Sequence, residues 1–346
     1  MGEWFEFRPV DSWMFRDGRP FDQNDVGAAE ARSIFPPWPP TAIGAFRAAV
    51  WQGPLDGDWK SEILGDGTDW QQAGTLGPLS FGPQILLRDG KPLFPAPLNL
   101  LRGRDGGLTL LRPGPALECD LGEQVRLPEP DKRLEGAKTL DEHFLTASGM
   151  EKVLRGEVPD KDDLVKLDAI FTREERVGIA INPETRRVID GALYMASHVR
   201  PKPGISLAMR CAGLMEGHAP GGLIALGGEH RAAEIVKGAA VALPQGPAPR
   251  EGRLLVVALS PVVLEHLPGP GEALAGLGRV VSACLGRPVR IGGWDSQGRR
   301  ALPLKLALPA GSVWFLEGAA EGVAPAAIGL ATDWGFGAIV TGRWEG

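Results

Sequence analysis

The chain has 346 residues, of which 43% are hydrophobic and 23% charged, with a formal net charge of −6. That length suits about two folded domains, and the acidic balance argues on its face against a nucleic-acid binder. Glycine (48) and proline (31) are abundant enough to favour a loop-rich fold over a helical bundle.

The charge is unevenly spread. Residues 53–170 carry 14 basic and 21 acidic side chains, which concentrates the acidity in one stretch. Arginine outnumbers lysine 27 to 10, a bias that suits forked recognition of phosphates and is equally produced by GC-rich codons. The cysteines, Cys119, Cys211 and Cys284, form no CxxC pair, which excludes a zinc knuckle and a thioredoxin-type motif. The start Met1-Gly2-Glu3-Trp4-Phe5 is unlike a signal peptide, and no apolar run is long enough to span a membrane. A cytoplasmic location is expected.

In chain order, Trp4 to Val10 reads as an opening strand. Phe15-Arg16-Asp17-Gly18-Arg19-Pro20-Phe21 then sets two arginines around a turn flanked by aromatics. This suits a clamp on single-stranded nucleic acid, and equally an Asp17–arginine pair with both phenylalanines in the core. Phe35-Pro36-Pro37-Trp38-Pro39-Pro40 is a rigid lead-in to a helix over Thr41–Trp51, with Thr41 as N-cap. Residues 79–94 read as a hairpin turning at Asp89-Gly90. Capping-box spacing at Thr139…Glu142 and Ser148…Glu151 predicts two short helices over 140–156, broken at Gly149.

A second hairpin joins Val177–Ile181 to the run ending at Met195 through Asn182-Pro183-Glu184-Thr185. Ile205–Arg210 and Leu223–Leu226 add strands, the latter followed by Gly227-Gly228-Glu229-His230-Arg231. Pro244-Gln245-Gly246-Pro247-Ala248-Pro249 is a boundary, and Leu254–Leu259 opens the second half as a buried strand. Apolar spacing predicts a helix over Glu272–Leu285, strands at Val289–Ile291, Leu302–Leu308 and Ser312–Leu316, a short helix near Pro325–Leu330, and a last strand at Ala338–Val340. The resulting β-α-β-β-α-β order is ferredoxin-like, as in RNA-recognition modules. The first half, 1–245, reads the same way with an insertion at about 53–170, and the second spans 250–346.

Gly335-Phe336-Gly337 is too near the C-terminus for a Rossmann unit, and no P-loop pattern occurs. It is either a tight turn or a loop whose amides meet phosphate. The five histidines, 143, 198, 218, 230 and 266, show no metal-ligand spacing, and no catalytic constellation assembles. No catalytic residue, metal or cofactor is expected.

Several stretches together resemble a known family. Arg16-Asp17-Gly18-Arg19-Pro20-Phe21, then Phe35 to Thr41 with Gly44-Ala45-Phe46-Arg47, is similar to the N-terminal signature of the third Cmr family, RAMP-superfamily subunits of type III-B CRISPR effector complexes. The resemblance continues through Glu175–Ile179, Gly191–Tyr194, His198-Val199-Arg200 and Leu226–Arg231 to the Gly335-Phe336-Gly337 loop, with 53–170 least matched. It implies an α+β chain of two packed ferredoxin-like RAMP folds that binds RNA without cutting it. Such a subunit would hold the 5′ handle of the guide RNA and contact the large palm-domain subunit and the adjacent backbone RAMP. The residues implied in RNA contact are Arg16, Arg19, Arg47, His198, Arg200, Arg231, Gly335, Phe336 and Gly337. Two related readings stay open: a RAMP endoribonuclease that processes guide RNA, and the type III-A counterpart of the binding subunit.

Overall fold

Two antiparallel sheets meet across a shared apolar layer. The computed structural model describes residues 2–17, 29–51, 61–65, 67, 69–120, 122–295, 300–320 and 325–345. The larger sheet has eight strands, running from one edge to the other as Leu164–Lys166, His143–Thr146, Lys91–Pro95, Ser80–Arg88, Ile205–Ala212, Glu3–Pro9, Ala232–Lys237 and Gly222–Ala225. The smaller has four: Arg279–Cys284, Val313–Glu317, Leu254–Ala258 and Ile339–Gly342. Every neighbouring pair in both sheets is antiparallel. The protein is thus mostly β-sheet with few helices, α+β overall.

Alternation explains why these strands are buried on both faces. Phe5, Phe7, Leu86, Leu207 and Met209 face one core, where the helix Pro39–Trp51 lays Ala42, Ile43 and Phe46 on the sheet. Phe46 there meets Phe5 and Phe81 edge-on, at centroid distances of 4.9 and 5.3 Å. Ile85, Leu87 and Ala208 face the opposite way and pack with Leu255, Val257, Val313, Phe315 and Val340 of the smaller sheet. A third cluster, with Val256, Trp314 and Leu316, covers the far side of that sheet.

The second half departs from its predicted pattern. Over 272–285 the structure has a strand, Arg279–Cys284, in place of a helix. Gly276 and Gly278, at φ +73° and +153°, break any helix before it, and burial then alternates through Val280, Ser282 and Cys284. Among the described residues of 325–330 there is no helix either. Residues 140–156 hold one helix, Ala147–Leu154, behind the strand His143–Thr146. Thr146 caps it by accepting the Gly149 amide at 3.1 Å, so Gly149 lies inside the first turn and does not break it. The helix over 39–51 starts at Pro39, where proline's missing N–H is harmless.

Both predicted hairpins form. Asp89 and Gly90 both have positive φ, 50° and 74°, as a two-residue turn between Ser80–Arg88 and Lys91–Pro95 requires. The other hairpin is longer than expected, Phe171–Ile181 against Val188–Pro201, with Asn182 Oδ1 accepting the amides of Glu184 and Thr185. The acidic stretch 53–170 is not separate from the sheet. It supplies four strands of it, of which Ser80–Arg88 is buried on both faces.

Candidate functional site

The long hairpin carries the densest polar cluster. Its register sets Glu174 opposite His198 and Thr172 opposite Arg200, and alternation brings Glu174, Arg176, His198 and Arg200 to one face. Trp13 bridges to Val199 through two backbone hydrogen bonds of 2.7 and 2.8 Å, which lays Asp11 and Ser12 across that face. From the other side Gly228 donates to the Met14 carbonyl at 2.8 Å and brings in Glu229 and Arg231. Glu229 and His230 both sit at φ +53°, an unfavourable left-handed backbone for residues with a Cβ, held here to aim Glu229 inward.

Arg176 donates to Ser12 Oγ at 3.1 Å, and the Ser12 hydroxyl has two acceptors in reach, Nδ1 of a neutral His198 at 3.2 Å and Asp11 Oδ2 at 3.5 Å. His198 Nε2–H then donates to Glu229 Oε2 at 2.8 Å. Arg176 and Arg200 both pair with Glu174, at 2.8 and 2.7 Å. Arg200 also pairs with Asp11, and Arg231 lies 3.6 Å from Asp11 and 3.9 Å from Glu229. Three guanidinium groups thus meet three carboxylates. The arginine bonds hold the Asp11 and Glu174 carboxyls below the usual carboxylate range.

The Ser12–His198–Glu229 series has the order of a nucleophile, base and orienting acid, but not the access. Ser12 is 1% exposed and His198 fully buried, so no substrate reaches the hydroxyl. The cluster is a lock that ties the N-terminal segment, the hairpin base and the 228–231 loop together.

Burial lowers the His198 pKa against the opposing pull of Glu229, with Arg176 and Arg231 adding to the depression. The unfolded chain therefore takes up the proton first, near pH 6.5. Stability is full above that value and falls as pH drops below it. Urea midpoints between about pH 7 and 5 should drop in the native protein and drop less in His198→Gln. His143, also shifted down by burial, keeps part of the slope in the variant. An equal slope in both proteins would mean that His198 is not held neutral.

The other residues expected to touch RNA fall elsewhere. Arg16 is exposed beside its backbone bridge to Ser33, and Arg19 lies outside the described residues. Arg47 is buried: it donates to the carbonyls of Gly67 (2.7 Å) and Gly65 (2.9 Å), and its guanidinium lies 5.9 Å over the Trp334 ring. The glycine loop is also interior. Phe336 is fully buried against Trp70 at a centroid distance of 4.6 Å. The Gly335 amide donates to Thr332 and the Gly337 amide to Pro261, so neither is free to hold a phosphate. The structure thus places Arg47, His198 and Phe336 in the interior and bonds the loop amides within the protein. These residues are packing elements, and the loop joins the two halves through Phe81 N–H to the Asp333 carbonyl at 2.7 Å.

Asp11, Ser12, Glu174 and Arg176 were not singled out from sequence. The alternation of Glu174 and Arg176 along a strand was the available signal. Among the described residues no group of three or more His, Cys, Asp or Glu is placed to hold a metal ion. Cys211 and Cys284 are buried, which pushes both thiols up to about 12. No helix among the described residues is long and apolar enough to cross a membrane.

Known proteins share this arrangement. One chain of a cryo-EM structure of the Type III-B Cmr-beta bound to cognate target RNA is similar at a TM-score of 0.52 and 19% identity, over 90% of this chain and 86% of that one. A chain of the same assembly bound to cognate target RNA and AMPPnP gives 0.50 at 19% identity, with the same coverage. At that identity the likeness speaks to the fold. Among curated proteins none matches the sequence. The family model for "CRISPR-associated protein (Cas_Cmr3)" matches residues 5–344, from the first strand of the large sheet to the end of the last strand of the small one. With nearly the whole chain accounted for in this way, the protein belongs to the Cas_Cmr3 family of CRISPR effector subunits.

Proposed function

We propose that this chain holds the repeat-derived 5′ handle of a guide RNA within a cytoplasmic type III-B effector complex. In this reading it docks the large palm-domain subunit and the adjacent backbone RAMP and does not itself cut RNA. The observation that carries the reading is the family match over residues 5–344.

Sheet topology supports two ferredoxin-like RAMP domains, 1–245 and 250–346. In the first, Glu3–Pro9, Ser80–Arg88, Ile205–Ala212 and Ala232–Lys237, numbered in chain order, lie side by side as 2-3-1-4. The smaller sheet, numbered likewise, has the same order. That is the strand order of a β-α-β-β-α-β unit, kept in the second half without a helix among the described residues. The long insertion of the first domain then runs between Arg88 and Ile205. Arg200 and Arg231 form the RNA-facing surface at the hairpin base, because their side chains keep exposed area while paired, and the exposed Arg16 contributes from the N-terminal segment, while Arg19 is assigned to RNA by the family match alone. Arg47, His198 and the glycine loop hold that surface in place from within.

The rival is an RNA-processing nuclease, and it would need an accessible general base. His230 is exposed, whereas both ring nitrogens of the half-buried His143 are themselves shielded from solvent, as is the ring of His198. Purified protein with repeat RNA and magnesium should leave the RNA intact over hours. Specific cleavage that disappears in His143→Ala or His230→Ala would replace the binding reading with the nuclease.

A further inference from the structure

One ribbon near the C-terminus gathers basic side chains around an exposed aromatic ring. Residues 286–306 hold five basic side chains and one acidic in a chain of net charge −6. Val289–Ile291 pairs with Lys305–Ala307, and the ribbon continues as Trp294–Asp295 against Arg300–Ala301. Its inner side is anchored. Ile291, Leu302 and Ala307 are buried in the main core, Trp70 Nε1 donates to the Gly292 carbonyl at 2.8 Å, and Gln71 donates to Pro303 at 2.6 Å.

The outer side is open. Trp294 is 60% exposed, and Arg290 lies directly opposite Leu306, itself 62% exposed. Arg287, Arg290 and Lys305 are exposed, and none has a carboxylate within ion-pairing distance among the described residues. The ribbon's acid, Asp295, is occupied by Arg300 at 3.3 Å. An exposed indole on an anchored ribbon that also carries exposed, unmatched cations is the chemistry of a platform for single-stranded nucleic acid. The ring stacks on a base of any identity, and the cations follow the backbone phosphates.

We infer that this ribbon is an RNA-binding surface for a single-stranded segment, with Trp294 as the stacking residue and Arg290 and Lys305 as phosphate contacts. It shares no residue with the hairpin base and is independent of the handle-holding role proposed above. An acidic protein partner would use the same charges, but it has no need of a flat ring in preference to any apolar group. The exposed Leu306 separates the two cases: it adds apolar area to a protein interface and no π-face to a base stack.

The probe is a fluorescein-labelled oligouridine 12-mer, titrated by anisotropy into the full chain at several salt concentrations. Trp294→Ala should weaken binding roughly tenfold, within the range found for single base–aromatic stacks, while Trp294→Phe keeps most of the affinity. Arg290→Ala and Lys305→Ala should each reduce the slope of log affinity against log salt by about 0.7. Leu306→Ala should leave binding unchanged. The inference is overturned if the native chain does not bind the oligonucleotide at low salt, or if Trp294→Ala binds it as well as the native chain does. It is also overturned, in favour of a protein interface, if Trp294→Ala and Leu306→Ala alike release another subunit from the assembled complex. Arg200→Ala and Arg231→Ala, at the hairpin base, report on the other surface and leave this result separable from it.

Discussion

Gly337→Ala should lower the melting temperature by on the order of 10 °C or leave the protein insoluble. Gly337 has φ +67°, a left-handed backbone that costs a residue with a Cβ about 1–2 kcal/mol. The added carbon would also fall 1.8 Å from the Ile328 carbonyl oxygen. Ile328 cannot withdraw cheaply, because it is buried and its amide donates to the Gly337 carbonyl at 2.9 Å. Strain and displacement together come to roughly 4 kcal/mol, the upper end for a single substitution. At about 2–4 °C per kcal/mol for a large domain, the expected fall follows. Gly221→Ala is the control, since a Cβ there meets nothing within 4 Å. A Gly337→Ala protein that melts normally but no longer retains guide RNA would instead give the loop a phosphate-holding role.

The second large effect belongs to Arg47. Its guanidinium is buried and spans from the helix Pro39–Trp51 to the carbonyls of Gly65 and Gly67 and to the Trp334 ring. Arg47→Ala removes two charge-assisted hydrogen bonds, each worth about 1.5–3 kcal/mol, along with the packing of the arginine stem. A loss of roughly 3–4 kcal/mol in denaturant unfolding is expected. Arg47→Lys should recover little, because a single ammonium cannot reproduce a fork aimed at two carbonyls. The salt dependence of RNA binding should be unaltered in whatever protein stays folded. A reduced salt slope with normal stability would place Arg47 on the RNA.

The turns and central strands of the fold were the most legible parts of the sequence. Asp89-Gly90 and Asn182-Pro183-Glu184-Thr185 carry turn chemistry that only a few backbone shapes accept. Leu254–Ala258 is a short apolar run and is buried along its whole length. The segment 272–285 misled because Leu274, Leu277, Val280, Val281 and Cys284 fit a helical period. The glycines at 276 and 278 and the buried Ser282 carried the opposing signal, and a buried serine has no hydropathy signature. The ion-pair cluster was half legible. His198, Arg200 and Arg231 were singled out, while the carboxylates that neutralise them come from positions far apart in the chain. Arg47 and Phe336 are expected at RNA from the resemblance, and a local pattern cannot say whether a side chain points in or out. Their partners, Gly65, Gly67 and Trp70, are set by tertiary packing.

The proposed role is tested most directly by nuclease footprinting of guide RNA in the type III-B complex, assembled with and without this chain. The nucleotides of the 5′ handle should be protected when the chain is present and become cleavable when it is omitted, while protection along the rest of the guide persists. Arg16→Ala combined with Arg200→Ala should expose the same handle nucleotides in part. Full protection of the handle in the complex that lacks the chain would contradict the account.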